Sequence, residues 1–202
     1  TIDSNGCIEC ENYSIGEWFV SDGDSLLVVN RSMLDSLVEI NFDLKHVCTS
    51  YITDLDSLFK GSQVNGDITK WDVSNVTSMH ETFYGCTDFN QEIGTWNVSN
   101  VENMSGLFRG ASNFNANISS WKTSSLANTS RMFKAAVSFN QNLNFWDMSR
   151  VTNMNSMFYG ATTFDNSINS WDVSQVTDAG SMFLFAYSFN QPLNTWDTYA
   201  MD

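Results

Sequence analysis

The stretch WNVSNVENMSGLFRGASNFNANISS (residues 96–120) carries the pattern that the rest of the chain repeats. Its leading Trp96 belongs to a series, Trp71, Trp96, Trp121, Trp146, Trp171 and Trp196, spaced by 25 residues without a slip. Counting from each Trp as position 0, position +12 is always Phe: Phe83, Phe108, Phe133, Phe158 and Phe183. Position +18 is again Phe, at Phe89, Phe114, Phe139, Phe164 and Phe189. Positions +2, +5, +8 and +22 are mostly aliphatic, as in Val98, Val101, Met104 and Ile118. Self-similarity at a fixed period of 20 to 50 residues marks a stacked-repeat architecture. One such unit cannot offset the conformational entropy of its own ordering, so units stack and share a core.

Within a unit, Trp96 and Val98 are two apart, the spacing of a strand with one buried face. Val101, Met104 and Phe108 are three and four apart, the spacing of one helical face. The expected fold class is therefore an α/β, right-handed solenoid with one short parallel strand and one short helix per coil. Gly85, Gly110 and Gly160 fit the left-handed residue that ends such a helix.

Outside the regular array, Val47, Ile52, Leu55, Phe59, Val64 and Ile68 echo the pattern with one residue deleted, and Val47 stands in the Trp position. Residues 1–46 lack the period and are expected to form an N-terminal cap, with a strand over 26–29 and a helix over 32–40. The expected organisation is thus a cap, 1–46, and a solenoid, 47–202, of one imperfect, five full and one truncated repeat. The chain opens at Thr1 without Met and its last repeat stops after seven residues, which reads as an excised piece with either a truncated cap or a continuing array.

Nine Lys and Arg against 23 Asp and Glu give a net charge of −14. That balance argues against nucleic acid, whose phosphates need clustered cations. No apolar run reaches the 18 or more residues of a membrane span, so no membrane insertion is expected. Of the four cysteines, Cys86 occupies a position held elsewhere by Ala111, Ala136, Ala161 and Ala186, and reads as a buried thiol. Among Cys7, Cys10 and Cys48, a Cys10–Cys48 disulfide is expected to tie the cap to the first coil. A lone Cys-x-x-Cys without a second pair is weak for zinc.

The string Trp-Asp-Val-Ser-Asn-Val-Thr-x-Met-x-x-x-Phe-x-Gly-Cys-x-x-Phe-Asn-Gln-x-Ile from Trp71 resembles the BspA-like leucine-rich repeats of surface proteins, the DUF285 or mycoplasma lipoprotein-associated repeat. The resemblance covers about residues 47–202. Ile93-x-x-Trp96-x-Val98 is similar to the strand core of leucine-rich repeats, with Trp in the middle position. Thr123, Thr129 and Ala179 depart from the pattern and soften the core locally. The resemblance implies a secreted or cell-surface protein, often bacterial, with adhesive or ligand-binding roles and no catalytic residues.

With Trp and Val facing in, positions −1, +1 and +3 face out. The candidate ligand-binding residues on this face are Asp72, Thr95, Asn97, Lys122, Phe145, Asp147, Ser170, Asp172 and Asp197. Asp147, Asp172 and Asp197 would form a column of like charge, which needs an offset. Two readings stand open: each Asp closes its own turn as an Asx motif, or the carboxylates and hydroxyls form a ladder for a cation (calcium being the specific case), a basic peptide or a glycan. Phe145 interrupts a polar stripe, either as a contact point or as a ring folded over the rim. The Asn90-Gln91, Asn140-Gln141 and Asn190-Gln191 pairs read as stacked amides satisfying backbone groups, or as a second binding surface.

His46 and His80 sit at unrelated positions, and no Ser-His-Asp set, carboxylate pair or phosphate loop is present. The expectation is a non-enzymatic extracellular recognition or adhesion module, part of a larger surface protein, binding a protein, peptide or glycan without a resident cofactor. The alternative is a passive spacer or self-associating stalk.

Overall fold

In the computed structural model, residues 1–64 and 66–201 are described. The N-terminal region opens with a small hairpin at residues 1–9, in which Ile2 and Ile8 pair antiparallel. Strands β1 (Trp18–Ser21) and β2 (Asp24–Val28) pair antiparallel across Asp22-Gly23. Both turn residues have positive φ, 55° and 84°, the conformation that tight hairpin turns demand. Helix α1 (Arg31–Glu39) follows, started by Asn30, whose side chain accepts the Met33 N–H at 2.9 Å. A turn of 3-10 helix, Leu44–His46, leads into β3 (Val47–Cys48), which pairs parallel with β2. Cys10 and Cys48 are joined by a disulfide.

From residue 49 onward, successive 25-residue coils lie in register on one another, linked by backbone hydrogen bonds. In the coil at 71–95, the N–H groups of Met79, Glu81, Phe83 and Gly85 donate to the carbonyls of Asn103, Ser105, Leu107 and Arg109 at 2.7–2.9 Å. The next coil repeats this from Met104, Gly106, Phe108 and Gly110 to Asn128, Ser130, Met132 and Lys134. Positions +8, +10, +12 and +14 thus donate, and +7, +9, +11 and +13 of the following coil accept. The first coil joins the same ladder from Leu55 to Ser78, so its deleted residue is absorbed further along the coil.

This differs from the expected secondary structure in two respects. The parallel pairing between coils falls at +7, through Asp54, Ser78, Asn103, Asn128, Asn153 and Asp178, and not at Trp-x-Val. Among the described residues the coils hold no α-helix either. Each is a string of tight turns, such as Leu107 N–H to Met104 O, Arg109 to Gly106 and Ala111 to Phe108. The physical reason is competition for N–H groups: those that a helix would return four residues back are given to the next coil. Left-handed residues at +10 (Glu81, Gly106, Arg131, Ser156, Ser181) and +14 (Gly85, Gly110, Ala135, Gly160, Phe185) also interrupt any helix.

Inside the ladder the aromatic positions stack. Phe83–Phe108, Phe108–Phe133, Phe133–Phe158 and Phe158–Phe183 ring centroids lie 5.6, 5.8, 5.6 and 5.8 Å apart. Trp71–Trp96, Trp121–Trp146 and Trp171–Trp196 stack at 6.4, 6.0 and 6.2 Å. The choice of Trp has a polar cause as well. The Trp96, Trp121, Trp146 and Trp171 indole N–H groups donate to the carbonyls of Ile68, Ile93, Ile118 and Leu143 one coil earlier, at 2.8–3.2 Å. The same carbonyls accept the backbone N–H of the Trp three residues on in their own coil. Thr123 and Thr129, buried in apolar positions, donate their hydroxyls to the Asp147 and Asn153 carbonyls.

The ends of the ladder are unlike. At the start, the Arg31 guanidinium reaches from α1 to the carbonyls of Asp54 and Asp56, at 3.2 and 2.8 Å, and covers the acceptor edge. At the last coil, no acceptor among the described residues meets the N–H groups of Ala179, Ser181, Phe183 and Phe185.

Candidate functional site

The side of the coils that carries positions −1, +1 and +3 holds three shallow cavities in a row. One, about 520 Å³, is lined by Thr95, Asn97, Ser120 and Lys122, with Ser4 and Asn5 of the N-terminal hairpin at its end. The second, about 410 Å³, lies between Ser120, Lys122, Phe145 and Asp147. The third, about 560 Å³, is bounded by Asn144, Ser170, Asp172, Thr195 and Asp197. Eight of the nine candidate residues therefore line this track. Asp72 does not: it is only 3% exposed, and its carboxylate accepts the Ser74 N–H at 3.0 Å.

Local hydrogen bonds explain much of the stripe. Asp147 accepts the Ser149 N–H and hydroxyl at 3.1 and 2.6 Å. Asp172 accepts the Ser174 N–H at 3.0 Å and Asp197 the Tyr199 N–H at 3.1 Å. The Ser174 hydroxyl bond and then its N–H hold the Asp172 carboxyl below its ordinary range, so repulsion within the column does not govern it. Among the described residues no three His, Cys, Asp or Glu side chains group as metal ligands. The calcium candidates Asp147, Asp172 and Asp197 each serve their own turn. The hydroxyls at −1 are also employed: Ser120 donates to the Gly94 carbonyl at 2.8 Å, Ser170 to Asn144 and Thr195 to Asn169.

Phe145 breaks this arrangement. It stands at −1, where those hydroxyls bind the preceding coil, and its ring is 81% exposed. It sits beside Lys122 and Asp147 at the rim of the middle cavity. The ring does not fold over into the core.

The Asn-Gln run is occupied structurally. Asn90, Asn115, Asn140 and Asp165 side chains accept the backbone N–H of Asn115, Asn140, Asp165 and Asn190 in turn, at 2.8–2.9 Å. Sequence reading missed the opposite edge, where Lys134 lies 4.2 Å from the Tyr159 ring centroid and Arg109 4.8 Å from that of Tyr84. Their shared position, +13, was the available signal.

Cys7 and Cys86 are free and buried. Burial pushes the Cys7 thiol up to about 12, with Asp3 and Asp72 adding to it. Burial likewise raises Cys86 to about 11, and its Sγ donates to the Phe59 carbonyl. Neither is a reactive thiolate near neutrality.

The architecture and the track together define a repeat protein of stacked 25-residue coils with one long outward surface. Residues 28–145 and 129–202 match the family described as Mycoplasma protein of unknown function, DUF285, and the chain belongs to that family. No curated protein and no solved structure matches the chain. No helix among the described residues is long and apolar enough to cross a membrane.

Proposed function

We propose that this chain is a non-enzymatic recognition or adhesion module of a secreted or cell-surface protein, built as a right-handed solenoid of the BspA-like leucine-rich-repeat class. Its Trp face, positions −1 to +3, binds an extracellular protein, peptide or glycan without a resident cofactor. The observation that carries this reading is Phe145. A phenyl ring exposed to 81% replaces a hydroxyl that would have bonded the preceding coil, and it stands over a cavity beside Lys122 and Asp147. That exchange costs the stack a hydrogen bond and exposes apolar area, which a passive spacer has no use for. The Cys10–Cys48 disulfide supports an oxidising compartment.

The test is a glycan and peptide array probed with the chain, with calcium and after chelation. Binding that survives chelation and falls in Phe145→Ala with Asp147→Ala is expected. Binding untouched by that double substitution contradicts the Trp face as the site.

A further inference from the structure

The hairpin of residues 1–9 is a polypeptide loop already seated on the Trp face. The Thr1 ammonium donates to the Glu9 carbonyl at 2.8 Å and Glu9 N–H returns to Thr1 O at 2.7 Å. The Asp3 carboxylate accepts the N–H groups of Asn5 and Cys7 at 2.9 and 2.7 Å, which closes the tip. Ile8 N–H donates at 2.9 Å to the carbonyl of Lys70, at position −1, and Ile8 pairs parallel with Trp71. One coil further on, Cys7 Sγ faces the next −1 carbonyl, Thr95 O, at 3.9 Å. The tip residues Ser4 and Asn5 then form the wall of the first cavity of the track.

Past that point the −1 carbonyls of Ser120, Phe145 and Ser170 meet no donor among the described residues. The side chains around them are committed elsewhere: Ser120 and Ser170 to the preceding coil, Asp147 and Asp172 to their own turns. What the open track offers is a row of backbone acceptors, one exposed phenyl ring, two exposed carboxylates and one exposed cation, Lys122, on a chain of net charge −14, so carboxylates outnumber cations on the track as they do on the whole chain.

We propose that the Trp face over residues 119–173 takes an extended, Lys- or Arg-bearing segment of another protein, held as the chain holds its own hairpin. This rests on the Trp face being a recognition surface and names the ligand class for it. Backbone N–H groups of the segment donate to the carbonyls of Ser120, Phe145 and Ser170. An apolar side chain covers Phe145, and a cation lies against Asp147 or Asp172, where the net charge of the chain also speeds encounter.

The experiment uses the full chain and a phage-displayed library of unstructured nine-residue peptides, with the selected peptides then made synthetically. A glycan array runs in parallel. Selected peptides carrying Lys or Arg are expected to lose about tenfold or more in affinity toward Phe145→Ser with Asp147→Asn. The loss should also follow N-methylation of single peptide bonds in the ligand, while Tyr187→Ser changes nothing. Circular dichroism confirms that each variant is folded. Peptide binding that ignores both the double variant and N-methylation overturns the inference. Glycan binding that depends on Phe145, with no peptide selected, overturns it and leaves the Trp face as a recognition surface. Absence of binding in both libraries overturns both.

Discussion

Trp121→Phe is expected to destabilise the chain by about 3 kcal/mol, worked from three contributions. Trp121 is 3% exposed and stacks on Trp146 at 6.0 Å. Replacing indole by phenyl removes roughly 40 Å² of buried apolar surface, about 1 kcal/mol at ~25 cal/mol/Å². The residual cavity of roughly 40 Å³ costs about 1 kcal/mol more. The lost indole bond to the Ile93 carbonyl, 3.1 Å long, contributes about 1 kcal/mol net. That carbonyl is not orphaned, because it also accepts the Trp96 backbone N–H at 3.1 Å, so no further desolvation penalty is added. Trp196→Phe is the internal comparison. Trp196 is only partly buried and stacks on one side, against Trp171, while its indole N–H still bonds the Ile168 carbonyl at 3.1 Å. The same change there should cost only about 1 to 1.5 kcal/mol, most of it the hydrogen bond. Urea unfolding followed by far-ultraviolet circular dichroism reads the difference. With a slope of roughly 2 kcal/mol per molar urea, Trp121→Phe should lower the midpoint by about 1.5 M. Equal shifts for the two substitutions would refute the stacked-column reasoning.

Further outcomes follow from backbone geometry and thiol burial. Ala135 holds φ 58° in the +14 position that is Gly85, Gly110 and Gly160 elsewhere; Ala135→Gly should stabilise by about 1 kcal/mol and Gly160→Ala destabilise by about as much, measured as opposite shifts in melting temperature. Gly94 stands where other coils carry Thr69, Ser119, Asn144 and Asn169, yet a β-carbon there would collide with the Asn117 carbonyl. Gly94→Ala should therefore cost about 2 kcal/mol or more, and a neutral result in chemical denaturation would count against the fit between those coils. Cys7 and Cys86 have thiols raised from 9.0 to about 12 and 11. Their contribution is complete below pH 9 and is lost as pH rises toward 11–12, because the unfolded chain ionises first. Stability should fall across that window, and iodoacetamide at pH 8 should modify these cysteines quickly only in denaturant.

The period, most of the buried positions and most of the outward face were legible in the sequence because a 25-residue repeat reports the same environment five times over. Position +11, buried as Thr82, Leu107, Met132, Met157 and Met182, was not read, because it lies off the helical face expected there. Trp121, Phe108 and Phe114 are buried, as their invariance within the chain implied. The turn ladder was not legible, since overlapping turns place Val101, Met104 and Phe108 on one side just as a helix does. The informative signs were at +10 and +14, where Gly106, Gly85, Gly110 and Gly160 mark left-handed residues, but Glu81 and Arg131 at the same positions conceal the rule. Asp72 was placed outward by alternation. Its burial comes from the N-terminal region, where Ile8 pairs with Trp71 and the buried Cys7 senses its charge, and residues 1–10 carry no period from which that docking can be read. Position −1 left Phe145 open between a contact point and a ring folded over the rim, and only the structure, with the residue 81% exposed, separates the two.

The central claim is that successive coils superpose, with the aromatic positions of one directly over those of the last. A crystal structure tests it by the separations between the Phe83, Phe108, Phe133, Phe158 and Phe183 rings. The expected values are the 5.6–5.8 Å seen here, with each ring nearly parallel to the next. Rings scattered at unrelated distances, or turned to solvent, would contradict the stack and remove the Trp face with it.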